Sequence, residues 1–197
     1  LKIVSVEDTA ELNLPHENWI PSVVRPGFGS EERGTGAITL FDLLKAAVRQ
    51  RPDYIIVGEV RGKEAYTLFQ AMATGHLGMC TIHAESVDAV IHRLESEPLN
   101  IPRPLLTMID AIMVQLRTEI NGKPVRRVMT VTEVTALDPR TKELLTKETF
   151  RWDAKNDTFV YSGRSQVLER NMKKMGLQEE HVQEELLRRR TVLEWMA

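Results

Sequence analysis

After Pro52 and Asp53 the chain reads Tyr54-Ile55-Ile56-Val57, an unbroken apolar run closed by Gly58-Glu59. A strand with one wet face alternates polar and apolar residues. A continuous run of strand length fits instead a strand covered on both faces, which is the habit of parallel sheets. Its neighbours in sequence agree. Leu1-Lys2-Ile3-Val4-Ser5-Val6 alternates and is partly β-branched, and Met79-Cys80-Thr81-Ile82 is a short apolar stretch; both read as strands. Helical patterns lie between them. Thr39 and Asp42 form a capping box ahead of the apolar face Leu40, Phe41, Leu43, Leu44, Ala47 and Val48, and Pro52 stops that helix. Lys63 to Thr74 reads as a second helix ended by Gly75, and Ser86 N-caps a third that runs to Glu95. Ala111 to Leu116 reads as one more strand, after a helix from about Pro104. Strands alternating with helices at this spacing imply a parallel sheet with helices on its faces.

Two stretches break the alternation. Residues 13–38 carry Pro15, Pro21, Pro26, Gly27, Gly29, Gly34 and Gly36 and read as one long loop, of the kind that is usually functional or mobile. After residue 120 the helices between strands disappear. Val128 to Leu137, Leu144 to Trp152 and Thr158 to Tyr161 read as an antiparallel meander, with turns at Asp138-Pro139-Arg140 and Ala154-Lys155-Asn156-Asp157. From Ser165 two charged helices follow, broken at Gly176. The second offers Glu184 with Arg188 and Glu185 with Arg189 as i,i+4 pairs, and an apolar stripe of Val182, Leu186, Leu193 and Trp195 to be buried. The expected organisation is 1–120 as a partial α/β core, 121–163 as the meander and 164–197 as C-terminal helices.

The chain of 197 residues is 42% hydrophobic and 27% charged, with a net charge of −2, which argues against a protein whose main work is wrapping nucleic acid. Its one cysteine, Cys80, excludes a disulfide framework and a four-cysteine zinc site. His76, Cys80 and His83 together lack an obvious fourth ligand nearby. On a strand Cys80 and His83 point to opposite faces, so Cys80 reads as a small core residue. No apolar run approaches the ~18 residues a membrane span needs, and no secretory signal is visible. The chemistry concentrates where the proposed parallel strands end: Glu7-Asp8 after the first, Glu59 after the second, His83 after the third. Open α/β sheets bind ligands outside the carboxyl ends of their strands, so these residues are expected at one crevice. Acids with a histidine there suit a metal-bound phosphate and an attacking water. A phosphate-cradling G-x-x-x-x-G-K-[ST] is not in the chain, which has no Lys-Ser or Lys-Thr pair. Since the chain starts at Leu1 rather than Met, it is expected to be part of something longer, with that loop upstream if it exists.

Three segments resemble the secretion ATPase superfamily of type II and type IV secretion, type IV pili and the archaeal flagellum. They are Glu7-Asp8-Thr9, the stretch Arg49-Gln50-Arg51-Pro52-Asp53 through Val57-Gly58-Glu59-Val60-Arg61, and Ala73-Thr74-Gly75-His76-Leu77-Gly78 through Ile82-His83-Ala84. Asn13-Leu14-Pro15-His16-Glu17-Asn18-Trp19 is similar to its archaeal branch. The resemblance covers residues 1 to about 135. It implies a RecA-like P-loop NTPase core, here without its P-loop segment, in a homohexamer that hydrolyses ATP with Mg2+. It further implies an integral-membrane platform protein as partner, no direct nucleic acid, and a cytoplasmic place, peripheral at the inner face of the membrane.

Matched by motif, Glu7 and Asp8 correspond to the acidic "Asp box", with Glu7 as the base that positions water. Glu59 corresponds to the Walker B acid that holds Mg2+ through water, although Gly58 stands where many P-loop enzymes carry Asp. His76 and His83 correspond to the "His box" that couples nucleotide to movement. Arg49, Arg51 and Arg61 are candidate contacts to phosphate across a subunit boundary, and no zinc is expected. The implied function is the C-terminal part of a motor for secretion or for assembly of pilus-like or archaellum filaments. Two alternatives stand beside it: a non-catalytic docking or oligomerisation module, and a DNA-transfer motor of the same superfamily, which the archaeal motif and the mild acidity disfavour.

Overall fold

A computed structural model describes residues 1–27 and 36–196. Gly29 and Gly34 of the expected long loop therefore lie outside the described residues. The chain divides into two units, Leu1–Ile109 with Leu137–Leu144, and Asp110–Ala136 with Leu145–Ala197.

The first unit holds a parallel sheet of β1 (Ile3–Glu7), β2 (Trp19–Val23), β3 (Tyr54–Val57) and β4 (Leu77–Cys80), in the order β2-β1-β3-β4. Helices α1 (Leu40–Arg49), α2 (Glu64–Ala73), α3 (Val87–Glu95) and α4 (Arg103–Leu106) alternate with it or follow it. Thr39 accepts from the Asp42 backbone N–H while Asp42 accepts from Thr39, closing the capping box on α1. The Ser86 hydroxyl oxygen accepts from the Ala89 N–H at 3.1 Å and caps α3 by that single bond. Gly75 takes φ 103 just past α2, a conformation that favours glycine.

One face of the sheet carries the core. Val4 pairs with Ile55 and Val6 with Val57, all fully buried or nearly so, and Ala47 of α1 joins Val4 and Val6 in one cluster. On the opposite face, Leu77 and Met79 of edge strand β4 are exposed. The unbroken apolar run of β3 thus marks a parallel strand, but only Ile55 and Val57 of it are fully buried.

Three local expectations are corrected. Trp19–Val23 is a strand inside the segment read as loop. Its Pro21 is tolerated because β2 lies at the sheet edge, where a missing N–H interrupts no interior ladder. Ala111 to Leu116 does not extend the parallel sheet. It belongs to β5 (Ala111–Ile120), paired antiparallel with β6 (Lys123–Leu137). The reason is Asn121-Gly122, with φ 51 and 75, a two-residue turn whose backbone twist suits a hairpin. Cys80 is not a core residue. It is exposed at edge strand β4, although its register places it on the helix-covered face beside Val57, because no further strand lies beyond β4 in the sheet.

The second unit holds the antiparallel sheet β5-β6-β7-β8, with β7 at Leu144–Asp153 and β8 at Thr158–Tyr161, then α5 (Gln166–Met175) and α6 (Glu179–Met196). Gly176 ends α5 at φ 65. The α5 N-terminus is held by Glu133 of β6, which is 4% exposed and accepts from the Ser165 hydroxyl and from the Gln166 N–H at 2.7 Å. In α6, Arg188 pairs with Glu185 rather than Glu184, because Glu185 reaches both Arg188 and Arg189, and the expected stripe is not buried. No described helix is long and apolar enough to cross a membrane.

Candidate active site

Parallel pairing places the ends of β1 and β3 side by side, because Val6 lies opposite Val57 and the Gly58 N–H donates to the Val6 carbonyl at 2.9 Å. Glu7 therefore lies against Gly58. A Cβ at position 58 would meet the Glu7 Cγ at 3.2 Å, tighter than ordinary contact, so glycine at this position lets the acid pack down. A side chain before Glu59, Asp included, would crowd Glu7. Glu7 is 3% exposed. Its Oε1 accepts from the backbone N–H groups of Glu11 and Leu12, both at 3.1 Å. Its second oxygen has no hydrogen bond from the described residues, which leaves an acceptor for a water.

Glu59 follows directly. The N–H of Val60 donates to the Thr81 carbonyl at 3.0 Å and the Thr81 hydroxyl to the Gly58 carbonyl, so the exits of β3 and β4 are tied together. The Glu59 side chain is 14% exposed and pairs with Arg61. That hydrogen bond holds the carboxyl below its ordinary value against the opposing effect of burial, with smaller help from the charges of Arg61, His83 and Arg93. The other oxygen, Oε1, is buried with no hydrogen-bond partner, and His83 Nε2 stands 3.4 Å from it. A buried carboxylate oxygen without a donor is costly unless something binds there. Hard oxygen donors of this kind fit magnesium, which takes few protein ligands and keeps its waters. Among the described residues no cluster of three or more His, Cys, Asp or Glu forms a closed metal cage.

Asp8 is exposed at the same edge, and its charge acts on Arg61. Two other residues shape the site without having been singled out in the sequence. Glu64 accepts from the N–H groups of Arg61 and Gly62, both at 2.7 Å, and so fixes the turn that aims Arg61. Its place at the start of a helix, three residues after Arg61, is the reach-back spacing of a cap. Arg93 of α3 donates to the His83 carbonyl at 2.7 Å.

The structure brings Glu7, Asp8, Glu59, Arg61 and His83 to the C-terminal edge of the sheet. It does not bring Arg49, Arg51 and His76 there. Arg49 ends α1, Arg51 precedes β3, and His76 immediately precedes β4, all at the opposite edge. His76 and His83 lie beyond opposite ends of β4 and cannot share a ligand with Cys80. At the first edge the groups present can hold a water against a buried carboxylate, bind a hydrated cation and place a guanidinium beside both. Such groups together have the charge and hydrogen-bonding capacity that a metal-bound phosphate ligand calls for.

Uncharacterized protein MJ1287 of Methanocaldococcus jannaschii is 50% identical over 186 residues, covering 94% of this chain and 68% of that protein. Uncharacterized protein MJ0900 of the same organism is 39% identical over 199 residues, covering 99% of this chain but 35% of that protein. Among solved structures, the VirB11 ATPase from the Brucella suis type IV secretion system in complex with sulphate superposes with a TM-score of 0.52 at 25% identity, over 66% of this chain and 39% of that one. The family described as type II/IV secretion system protein matches residues 1–187, and the chain belongs to it.

Proposed function

We propose that the protein carrying this chain hydrolyses ATP with magnesium, as the motor of a secretion machine or of one assembling pilus-like filaments. It would work as a homohexamer at the inner face of a membrane against an integral-membrane platform protein. The observation that carries this reading is the carboxylate edge: Glu7 buried against Gly58, beside Glu59 with one buried oxygen left without a donor. The likeness to a VirB11 ATPase supports it.

In this reading the free oxygen of Glu7 orients the attacking water. The water oxygen forms a bond to the γ-phosphorus while the bond from phosphorus to the bridging oxygen breaks. The bonding pair stays on ADP, and the water's proton passes to Glu7 and then to phosphate. Glu59 would hold a hydrated magnesium ion through its waters, and Arg61, paired with Glu59, stands where its guanidinium can serve the phosphate oxygens. A bound magnesium ion would supply neutralisation of the phosphate oxygens. His83, beside Glu59, registers whether that oxygen is occupied. The tail 141–197 serves as an interaction surface rather than a catalytic one. The phosphate-cradling loop is not within these 197 residues, so residues 1–197 alone are expected to be inactive.

The test is Glu59→Gln in the full-length protein. Nucleotide binding is retained while hydrolysis falls by about 10²-fold or more, the order expected when one electrostatic partner in such a site is lost. Near-normal kcat would reduce Glu59 to a structural residue.

A further inference from the structure

Beyond β4 the chain runs through Ile82, His83, Ala84 and Glu85 before α3 begins. Both ends of that stretch are held. Thr81 is tied to the exit of β3 through its carbonyl and its hydroxyl, and Ser86 caps α3. Between them, among the described residues, the main chain makes one hydrogen bond: Arg93 Nη1 donates to the His83 carbonyl at 2.7 Å.

The His83 ring has little else to place it. Its side chain is 80% exposed, so packing does not fix it, yet its Nε2 stands 3.4 Å from the buried Glu59 Oε1. The position of the ring therefore follows the main chain that carries it. Arg93 lies nearly two turns after the Ser86 cap, about 10 Å along the helix. Helical side chains lean towards the N-terminus, so a long one at this position points back at the segment before the cap. A guanidinium is always charged, which strengthens its bond to a carbonyl. The helix does not need that bond for itself, since Ser86 accepts from the Ala89 N–H and Val90 and Leu94 are buried. The Arg93 charge also favours the ionised form of Glu59, behind the Arg61 hydrogen bond and the charges of Arg61 and His83.

We propose that Arg93 is a positioning residue of the site: its grip on the His83 carbonyl fixes the main chain beyond β4 and so sets the His83 ring against the buried oxygen of Glu59. Without the grip, residues 82–85 are held only at their ends and the ring leaves Glu59. This inference rests on the hydrolysis reading above for its consequence, but not for its geometry.

Two experiments on the full-length protein test it. Arg93→Met keeps the stem and removes the donor. It is expected to lower kcat for ATP by about tenfold, as is His83→Ala, the order that a displacement between about 0.5 and 1 Å brings. The double variant loses about tenfold again in total, not the roughly hundredfold that independent losses multiply to, because residues acting as a unit are not additive. Losses that multiply, or a near-normal kcat for Arg93→Met beside an impaired His83→Ala, overturn the proposal. Independently of activity, a nitroxide is attached at His83→Cys and, as a control, at Asp88→Cys on α3, with Cys80 and every other cysteine replaced by serine. Without nucleotide, Arg93→Met sharpens the spectrum of the label at 83 and leaves that at 88 unchanged. Equal mobility at 83 with and without Arg93 overturns the proposal. So does sharpening at both positions, which would make Arg93 a support of the helix. Sharpening at 83 alone in a protein that does not hydrolyse ATP would keep the positioning and reject the proposed function.

Discussion

Gly58→Ala puts one methyl group where the structure leaves least room. The new Cβ would stand 3.2 Å from Glu7 Cγ and 3.5 Å from its Cβ. Comfortable carbon contacts lie at about 3.5–4.0 Å, so Glu7 must retreat by roughly 0.3–0.5 Å. It cannot retreat freely, because its Oε1 is pinned by the N–H groups of Glu11 and Leu12 at 3.1 Å and the residue is buried. Overpacking of this kind costs about 1–3 kcal/mol, and the low end is expected because the Glu11–Leu12 loop can shift with the acid. Catalytic groups tolerate roughly 0.5 Å of misplacement, and 1 Å costs about 10²-fold, so kcat is expected to fall by about tenfold. KM for ATP should change little, since Glu7 is assigned to water and not to nucleotide. The assay is steady-state ATP hydrolysis by the full-length protein together with urea unfolding of the same preparation. A kcat within twofold of the unmodified protein at unchanged stability would refute the idea that Gly58 exists to seat Glu7.

Glu133→Ala removes the carboxylate that holds the start of α5, and hydrogen bonds to a charged group put the loss at about 2–4 kcal/mol in urea unfolding. Glu133→Gln, which keeps an acceptor, should cost less than half as much, and equal losses for both would point to packing instead. Asp157 is held down to about 2 by the Arg127 hydrogen bond first and the Trp152 indole N–H second. A carboxyl lowered in the folded state contributes stability above its unfolded pKa and loses it on acidification, so the contribution is complete above about pH 4 and fades towards pH 2. Thermal melts across that window should show a shallower acid limb for Asp157→Asn; an unchanged limb would mean that the pair persists in the unfolded chain.

The sequence by itself determined the local elements and the edge on which the acids fall. Period, caps and glycine stops are short-range physics, so the capping box at Thr39 and the positive-φ glycine at Gly75 are written in a few consecutive residues. Parallel topology then follows from alternation, and with it the meeting of Glu7, Glu59 and His83. The hairpin at Asn121-Gly122 was equally local, and it decides that β5 leaves the parallel sheet. Other features depended on the neighbour across space. Pro21 looks like a loop residue until β2 is seen to occupy a sheet edge, and Glu133 looks like a surface acid until α5, more than thirty residues later, lays its N-terminus on it. His76 and Arg51 precede their strands while His83 and Arg61 follow theirs, so the same alternation also separates them once the strand bounds are fixed, and matching by motif alone passes over it. What only the tertiary structure decided is which distant groups pair, because such contacts leave no local pattern in the chain.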